Sequence, residues 1–210
     1  NINVFEMDAY KHSGLALTAD AKVTLEELIR ALKAYVVPVE YAAEVKALKV
    51  AWEAETDRLY HLDHLPLPGQ SELIGAIWQS AGERDVILSA AGSQPGDLHK
   101  LWRAKTPNSY HMEYGYSCMA YEIPASLGVK LADPSREVYV WVGDGTYLMN
   151  PTEILTAVQE GIKVIIIVVD NHGFASIGAL SGSLGSAGFG TRFNRRGSKT
   201  GQLDGGRLKV

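Results

Sequence analysis

The sequence predicts an α/β fold, a parallel sheet flanked by helices, and three features predict it. Two apolar, β-branched runs, Glu137 to Val142 (EVYVWV) and Lys163 to Val169 (KVIIIVV), read as strands buried on both faces. Each leads directly into a short polar loop, Gly143-Asp144-Gly145 and Asp170-Asn171-His172-Gly173. Between them lies a helix signature: Asn150 as N-cap, Pro151 at the first helical position, Glu153 three residues past the cap, then ILTAVQE and a terminating Gly161. A right-handed crossover makes the two strands parallel and brings both loops to the carboxyl edge of the sheet, where open α/β folds bind ligands. Asp144 and Asn171 are therefore expected to converge.

The remaining elements follow in chain order. The opening NINVF run reads as a strand, and Thr24 with Glu27 reads as a capping box for a helix reaching Tyr35. Pro38 to Leu65 reads as a charged connecting helix, with Tyr41, Val45, Leu48 and Trp52 recurring at helical spacing among Glu and Lys; Pro66 to Gly69 breaks it. Next come a helix at Ser71 to Ala81, a strand at Asp85 to Ala90, a loop at Ala91 to Gly96 and a helix at Asp97 to Ala104. A short strand near Ser109 and a helix at Cys118 to Ala132 lead into the β-α-β unit. Alternation of strand and helix argues for a parallel sheet.

Composition removes several classes of function. A net charge of -4 gives no footprint for nucleic acid or a membrane surface. The single cysteine, Cys118, excludes an intrachain disulfide and fits a reducing cytosol. With no basic leader before NINVF and no apolar stretch of membrane-spanning length, a cytoplasmic protein is expected. Gly115-Tyr116-Ser117-Cys118-Met119 lacks the closing glycine of a nucleophile elbow. No Gly-Lys-Ser/Thr follows a glycine cluster, and Gly188-Phe189-Gly190 follows no strand, so nucleotide loops are not expected. His12, His61, His64 and His111 lack metal-ligand spacing, and Cys118 reads as a small core residue.

The two loops offer a carboxylate oxygen, an amide oxygen and, from a tight turn at His172-Gly173, a backbone carbonyl. Either loop by itself is an ordinary turn. Together, three hard oxygens suit Mg²⁺, which keeps open positions for water and phosphate oxygens. Gly143 and Gly145, beside Asp144, let backbone N–H groups approach a phosphate closely.

Gly143-Asp144-Gly145, with Asn171 placed 27 residues after Asp144, resembles the Mg²⁺-diphosphate motif of thiamine-diphosphate-dependent enzymes. The resemblance implies that Asp144, the Asn171 side chain and the Gly173 carbonyl hold Mg²⁺, that Gly145 and Thr146 offer amides to the diphosphate, and that Phe174 adjoins the cofactor. The family usually has Asn-Asn where this chain has Asp170-Asn171, but the matched ligand position remains Asn. A second stretch, Gly115 to Gly128 (GYSCMAYEIPASLG), is similar to the family segment whose Met wedges between the two cofactor rings. Met119 takes that role by resemblance, with the Ser117 carbonyl and Met119 amide at the pyrimidine edge; Ser117 and Ala120 stand where the family commonly has Gly. Gly92 and Ser93, and by likeness to acetolactate-synthase-type members the Leu98 backbone and His99, are implied diphosphate contacts.

Within that family, the segments SYHMEYGYSCMAYEIPASLGVKLADP, VGDGTYLMNPTEILTAVQEGIKVIIIVVDNHGFASIGALSGSLGSAGFGTRF and TGQLDG resemble the trihydroxycyclohexanedione hydrolases of myo-inositol catabolism. The resemblance implies hydrolytic ring opening of a cyclic 1,2-dione to 5-deoxyglucuronate, with thiamine diphosphate and Mg²⁺ as cofactors. An acetolactate-synthase-like carboligase, a 2-oxoacid decarboxylase and a non-enzymatic α/β binding module are the alternatives. It further implies residues 1–36 as the tail of a middle α/β domain, 37–66 as a connector and 67–210 as the diphosphate-binding domain, cut short at its carboxyl end. The activating Glu is expected in a missing amino-terminal domain of a partner subunit, in a homodimer or homotetramer with the site between subunits. This stretch alone is thus expected to be inactive. The tract from Gly173 to Phe193, with Gly178, Gly182, Gly185, Gly188 and Gly190, reads as a cofactor-covering loop or a plain linker.

Overall fold

The computed structural model describes residues 1–210 except the side chain of His12. The backbone forms two compact units, Asn1–Glu53 and Ala54–Val210. In the first, β1 (Ile2–Asn3) and β2 (Leu17–Thr18) pair in parallel, with α1 (Glu6–Ala9) between them and α2 (Ala21–Ala31) following. The expected capping box at Thr24 is not used. Asp20 caps α2 instead: its Oδ1 accepts the Val23 N–H at 3.0 Å, while the Thr24 hydroxyl donates to the Asp20 carbonyl at 2.7 Å. A carboxylate at the N-cap satisfies an orphan amide one turn earlier, and Glu27 pairs with Arg30. The connecting helix is α3 (Val39–Tyr60), whose Tyr41, Val45, Leu48 and Trp52 stripe is exposed.

The second unit runs α4 (Gln70–Ser80), β3 (Val86–Ser89), α5 (Ser93–Leu101), β4 (Tyr110–Met112), α6 (Glu122–Ala132), β5 (Val138–Gly143), α7 (Asp144–Met149), α8 (Glu153–Gln159), β6 (Ile165–Val169) and α9 (Ala175–Ser183). Its four strands form a wholly parallel sheet in the order β4-β3-β5-β6. This is the predicted α/β architecture. The chain moves outward from β3 to β4 and then returns to the other side of β3 as β5, so the winding direction reverses between β3 and β5. Such a reversal opens a crevice at the carboxyl ends of the strands.

Successive residues of these strands serve opposite faces. Ile87 and Trp141 pack with Tyr60, Ile74, Leu98 and Leu101 on one side of the sheet, under α4 and α5. Val140 and Val142 pack with Ile123, Ile154 and Ile166 on the other, under α6 and α8. The buried Ser89 hydroxyl donates to the Trp141 carbonyl at 2.9 Å, a cross-link between the two central strands beside the crevice.

Several boundaries differ from expectation, each for a local reason. The loop expected at Ala91 to Gly96 is mostly helix, since α5 opens at Ser93; Pro95 lies in its first turn, where amides have no partner to lose. Asp144-Gly145 opens α7 instead of lying in a loop. Asn150 ends α7 and accepts the Thr152 hydroxyl at 2.8 Å, so α8 starts at Glu153 without the expected Asn cap. The helix expected from Cys118 begins only at Glu122, because Ser117 (φ 53°) and Ala120 (φ 70°) are left-handed. The glycine-rich tract contains the nine-residue α9 before it turns through Leu184 to Thr191. No helix among the described residues is long and apolar enough to cross a membrane.

Candidate functional site

The crevice between β3 and β5 holds a narrow cleft of about 30 Å³. One wall comes from the end of β3 and the start of α5 (Ala91, Gly92, Ser93, Gln94), the floor from Gly143, Gly145 and Thr146, and the far wall from Asn171, Gly173 and Phe174. Met119 and the first residues of α9, through Ile177, complete it. The register Gly143↔Val169 explains the convergence: it closes the β5–β6 ladder, so Asp144 and Asn171 leave the sheet as neighbours.

Asp144 is wholly buried. Its Oδ1 accepts the Gly145 N–H at 2.9 Å and its Oδ2 accepts the Gly173 N–H at 2.8 Å. Burial pushes its carboxyl above the usual carboxylate range and Asp170 acts in the same direction, while the two amides act against them. Asp170 also accepts the His172 N–H at 3.0 Å, shaping a turn in which His172 has φ 63°. Gly173 follows at φ 137°, and a Cβ there would collide with the Thr191 carbonyl oxygen and lie 2.9 Å from Arg192 Cα. Only glycine fits this point.

The Asn171 amide tests whether the loops fit a cation. With its oxygen turned inward, Oδ1 lies 2.8 Å from the Gly173 carbonyl oxygen and 3.1 Å from Asp144 Oδ1. Octahedral Mg²⁺ at its usual bond length sets adjacent oxygens about 3 Å apart, a spacing these separations match. Turned the other way, the amide nitrogen would donate to the same two oxygens, and Gln94 would donate to Asn171. The donor set therefore fits a hard cation with the amide oxygen inward, and rotation of one amide closes it by hydrogen bonds. Among the described residues no cluster of three His, Cys, Asp or Glu offers a different metal site; the side chain of His12 lies outside the described residues.

Gly92, Ser93, Met119, Gly143, Gly145, Thr146, Asn171, Gly173 and Phe174 all line the cleft, with Asp144 beneath it. Three predicted contacts do not line the cleft. Ser117 is exposed on the turn before Met119, and His99 is exposed on α5, its ring 3.3 Å from the Tyr110 hydroxyl and edge-on to Tyr114. Leu98 is buried in the core, its carbonyl taken by the Trp102 N–H. Sequence reasoning missed Gln94 and Ala91 in the near wall, and Ala175 to Ile177 at the start of α9. For Gln94 the only signal was its place in the Ala91–Gln94 loop.

Glu122 was also missed. It opens α6, yet it is 1% exposed and its Oε2 has no hydrogen-bond partner. Burial pushes its pKa up to about 7, with backbone groups of Glu122, Ala91, Ala120 and Ala90 opposing. The folded state thus holds the proton more tightly than the unfolded chain, whose carboxyl titrates near 4.5. The stability tied to this neutral carboxyl is complete below pH 4.5 and is lost as pH rises through about 7. Glu122→Gln should therefore stabilise the protein by on the order of 3 kcal/mol at pH 8 relative to pH 4.5. Thermal melts of both proteins across this range check it, and a pH-independent difference would refute the neutral carboxyl.

Residues 90–203 match the family model of the C-terminal TPP-binding domain of thiamine pyrophosphate enzymes. The chain is 39% identical over 233 residues to a protein of Clostridium tetani named 3D-(3,5/4)-trihydroxycyclohexane-1,2-dione hydrolase, an alignment covering 100% of this chain and 36% of the relative. Proteins of Bacillus cereus and Bacillus thuringiensis with the same name are likewise 39% identical, over 234 residues and the same shares. The chain spans about a third of the length of these curated relatives.

Proposed function

Because the chain belongs to the thiamine pyrophosphate enzymes and carries their C-terminal cofactor-binding domain, we propose that it forms the Mg²⁺- and diphosphate-holding part of a ring-opening hydrolase. The proposed substrate is 3D-(3,5/4)-trihydroxycyclohexane-1,2-dione and the proposed product 5-deoxy-D-glucuronate, in inositol catabolism. The substrate assignment is supported by the names of the relatives. The observation that carries the proposal is the meeting of Asp144, Asn171 and Gly173 oxygens at the edge of a cleft whose wall includes Met119.

In this reading Asp144 Oδ1, Asn171 Oδ1 and the Gly173 carbonyl hold Mg²⁺, leaving positions for phosphate oxygens. The first turns of α5 and α7 present the Gly92–Gln94 and Gly145–Thr146 backbone to the diphosphate, where the amides of a helix start favour anions. Bound thiamine diphosphate supplies the carbon nucleophile and electron sink that no side chain provides. Met119 would pack against the bound cofactor, and the Ser117 carbonyl and Met119 amide would hold its pyrimidine edge.

No His, Lys, Arg or Glu lines the cleft among the described residues. Proton transfer to and from substrate is therefore assigned to groups outside this chain, and residues 1–210 alone are proposed to be silent. The proposed assembly is a cytoplasmic homodimer or homotetramer with the partner covering the pyrimidine side. Leu184 and Phe189, 90% and 95% exposed beyond α9, offer apolar surface to a partner.

Two measurements on the full-length protein test the reading. A thiamine diphosphate isotherm should show saturable binding that requires Mg²⁺; its absence would leave an α/β binding module. Product analysis should show ring opening of the cyclic dione, whereas turnover of pyruvate instead would mark a carboligase or decarboxylase.

A further inference from the structure

Met119 reaches the cleft from a segment that lacks regular structure. After β4 ends at Met112, the chain runs to α6 at Glu122 without helix or strand. The backbone of residues 115–118 exchanges no hydrogen bond with another backbone group among the described residues. Two of its residues are held where side chains are disfavoured, Ser117 at φ 53° and Ala120 at φ 70°, on either side of Met119. Left to local preference, this turn would not stay in place.

What holds it is one carboxylate. Glu113 Oε1 accepts the Tyr116 N–H at 2.9 Å and Oε2 accepts the Cys118 N–H at 2.6 Å, so the two bonds bracket Ser117. These amides hold the Glu113 carboxyl below the usual carboxylate range, which keeps it ionised and a strong acceptor. Glu113 is itself fixed, because its own N–H donates to the Ser89 carbonyl of β3 at 3.2 Å. A path of three links thus runs from the central sheet through Glu113 to the residue preceding Met119.

We propose that Glu113 is a positioning residue that clamps the Tyr116–Cys118 turn and so presents Met119 to the cofactor cleft. The proposal deepens the thiamine diphosphate reading and rests on it for the identity of the ligand, but the clamp itself concerns only this chain. It also accounts for Ser and Ala at left-handed positions: the carboxylate supplies the restraint that glycine would make unnecessary.

The test uses full-length protein labelled at methionine methyl groups with ¹³C, comparing wild type, Glu113→Gln, and Glu113→Gln combined with Ser117→Gly and Ala120→Gly. Gln has the size of Glu but accepts with one oxygen, so one of the two amide bonds is lost. Without cofactor, the Met119 resonance should shift or broaden in Glu113→Gln while the melting temperature changes little, the carboxylate being on the surface. Thiamine diphosphate affinity at saturating Mg²⁺ should fall about tenfold, as expected for one charge-assisted hydrogen bond, with the Mg²⁺ dependence unchanged. The two glycines should restore at least part of that loss, because they remove the preference the clamp opposes.

An unmoved Met119 resonance in Glu113→Gln would overturn the clamp, whatever the cofactor affinity. Failure of the glycines to restore binding would overturn it too. Should wild type itself bind no thiamine diphosphate, the functional reading fails while the Met119 resonance still decides the clamp. If Glu113→Gln does not fold, the glycine pair with Glu113 intact decides: a wild-type Met119 resonance supports the clamp, and a displaced one overturns it.

Discussion

Replacing Asp144 with Ala in the full-length protein is expected to abolish Mg²⁺-dependent thiamine diphosphate binding, weakening it by at least on the order of 100-fold. That figure is the upper end of what losing a mere supporting group around a metal costs, and Asp144 is the only anionic member of the proposed ligand set. The fold should survive. Burial disfavours the charged carboxylate, so its removal lifts a desolvation penalty while leaving the Gly145 and Gly173 amides without acceptors, and the two effects oppose each other. Asp144→Asn would retain the size while removing the charge and should lose metal dependence, at the cost of one of the two amide bonds. Asn171→Ala should act in the same direction more weakly, since a neutral amide contributes less to a divalent cation. Titrations with Mg²⁺ and cofactor check all three variants, and retained binding with unchanged Mg²⁺ dependence in Asp144→Ala would remove the metal assignment.

Gly173→Ala is expected to approach the same loss by a different route. At φ 137° the new methyl group would press into the backbone of Thr191 and Arg192, which bridges Gly173 across the turn. The Phe174 N–H donates to the Thr191 carbonyl at 2.9 Å and the Phe193 N–H to His172 at 2.9 Å, so neither strand of this bridge is free to yield. The combined strain and collision are worth about 3 kcal/mol, or on the order of 100-fold in affinity. The hydrophobic layers of the sheet lie elsewhere, so circular dichroism should remain that of the parent. Wild-type binding by Gly173→Ala would show that its carbonyl need not be fixed for the cation.

The parts of the molecule legible in the sequence are those where local and tertiary preferences agree. EVYVWV is largely apolar because both faces of β5 are covered, whereas the Ile165–Val169 run, expected to be buried, lies at the sheet edge and is half-buried; the loops that follow both strands carry the proposed ligands because strand ends point at the crevice. What could not be read depends on contacts from far along the chain. Pro95-Gly96 looks like a breaker, yet it rides in the first turn of α5, where a missing amide is harmless. Asp144-Gly145 looks like a loop, yet β5 ends at Gly143 and α7 begins at Asp144 with no residue between. Glu122 reads as a helix-opening acid of the ordinary solvated kind, and only the packing of α6 over the end of β3 turns it inward. Ser117 and Ala120 carry no local mark of left-handed backbone, since the restraint on their turn is the carboxylate of Glu113.

The pairing of β5 with β6 has a consequence for how the protein reaches a single native form. Ile165 to Val169 is a uniform apolar run, half-buried along its whole length, so sliding it by one residue against β5 exchanges one greasy side chain for another. Burial alone is then a poor judge of alignment. A slip of one residue displaces Asn171 and Gly173 by about 3.3 Å and turns them to the opposite side of the strand, far outside the tolerance of a metal shell. Misaligned chains would forgo both the Asp144–Gly173 hydrogen bond and the stabilisation that a ligand confers only on the form it binds.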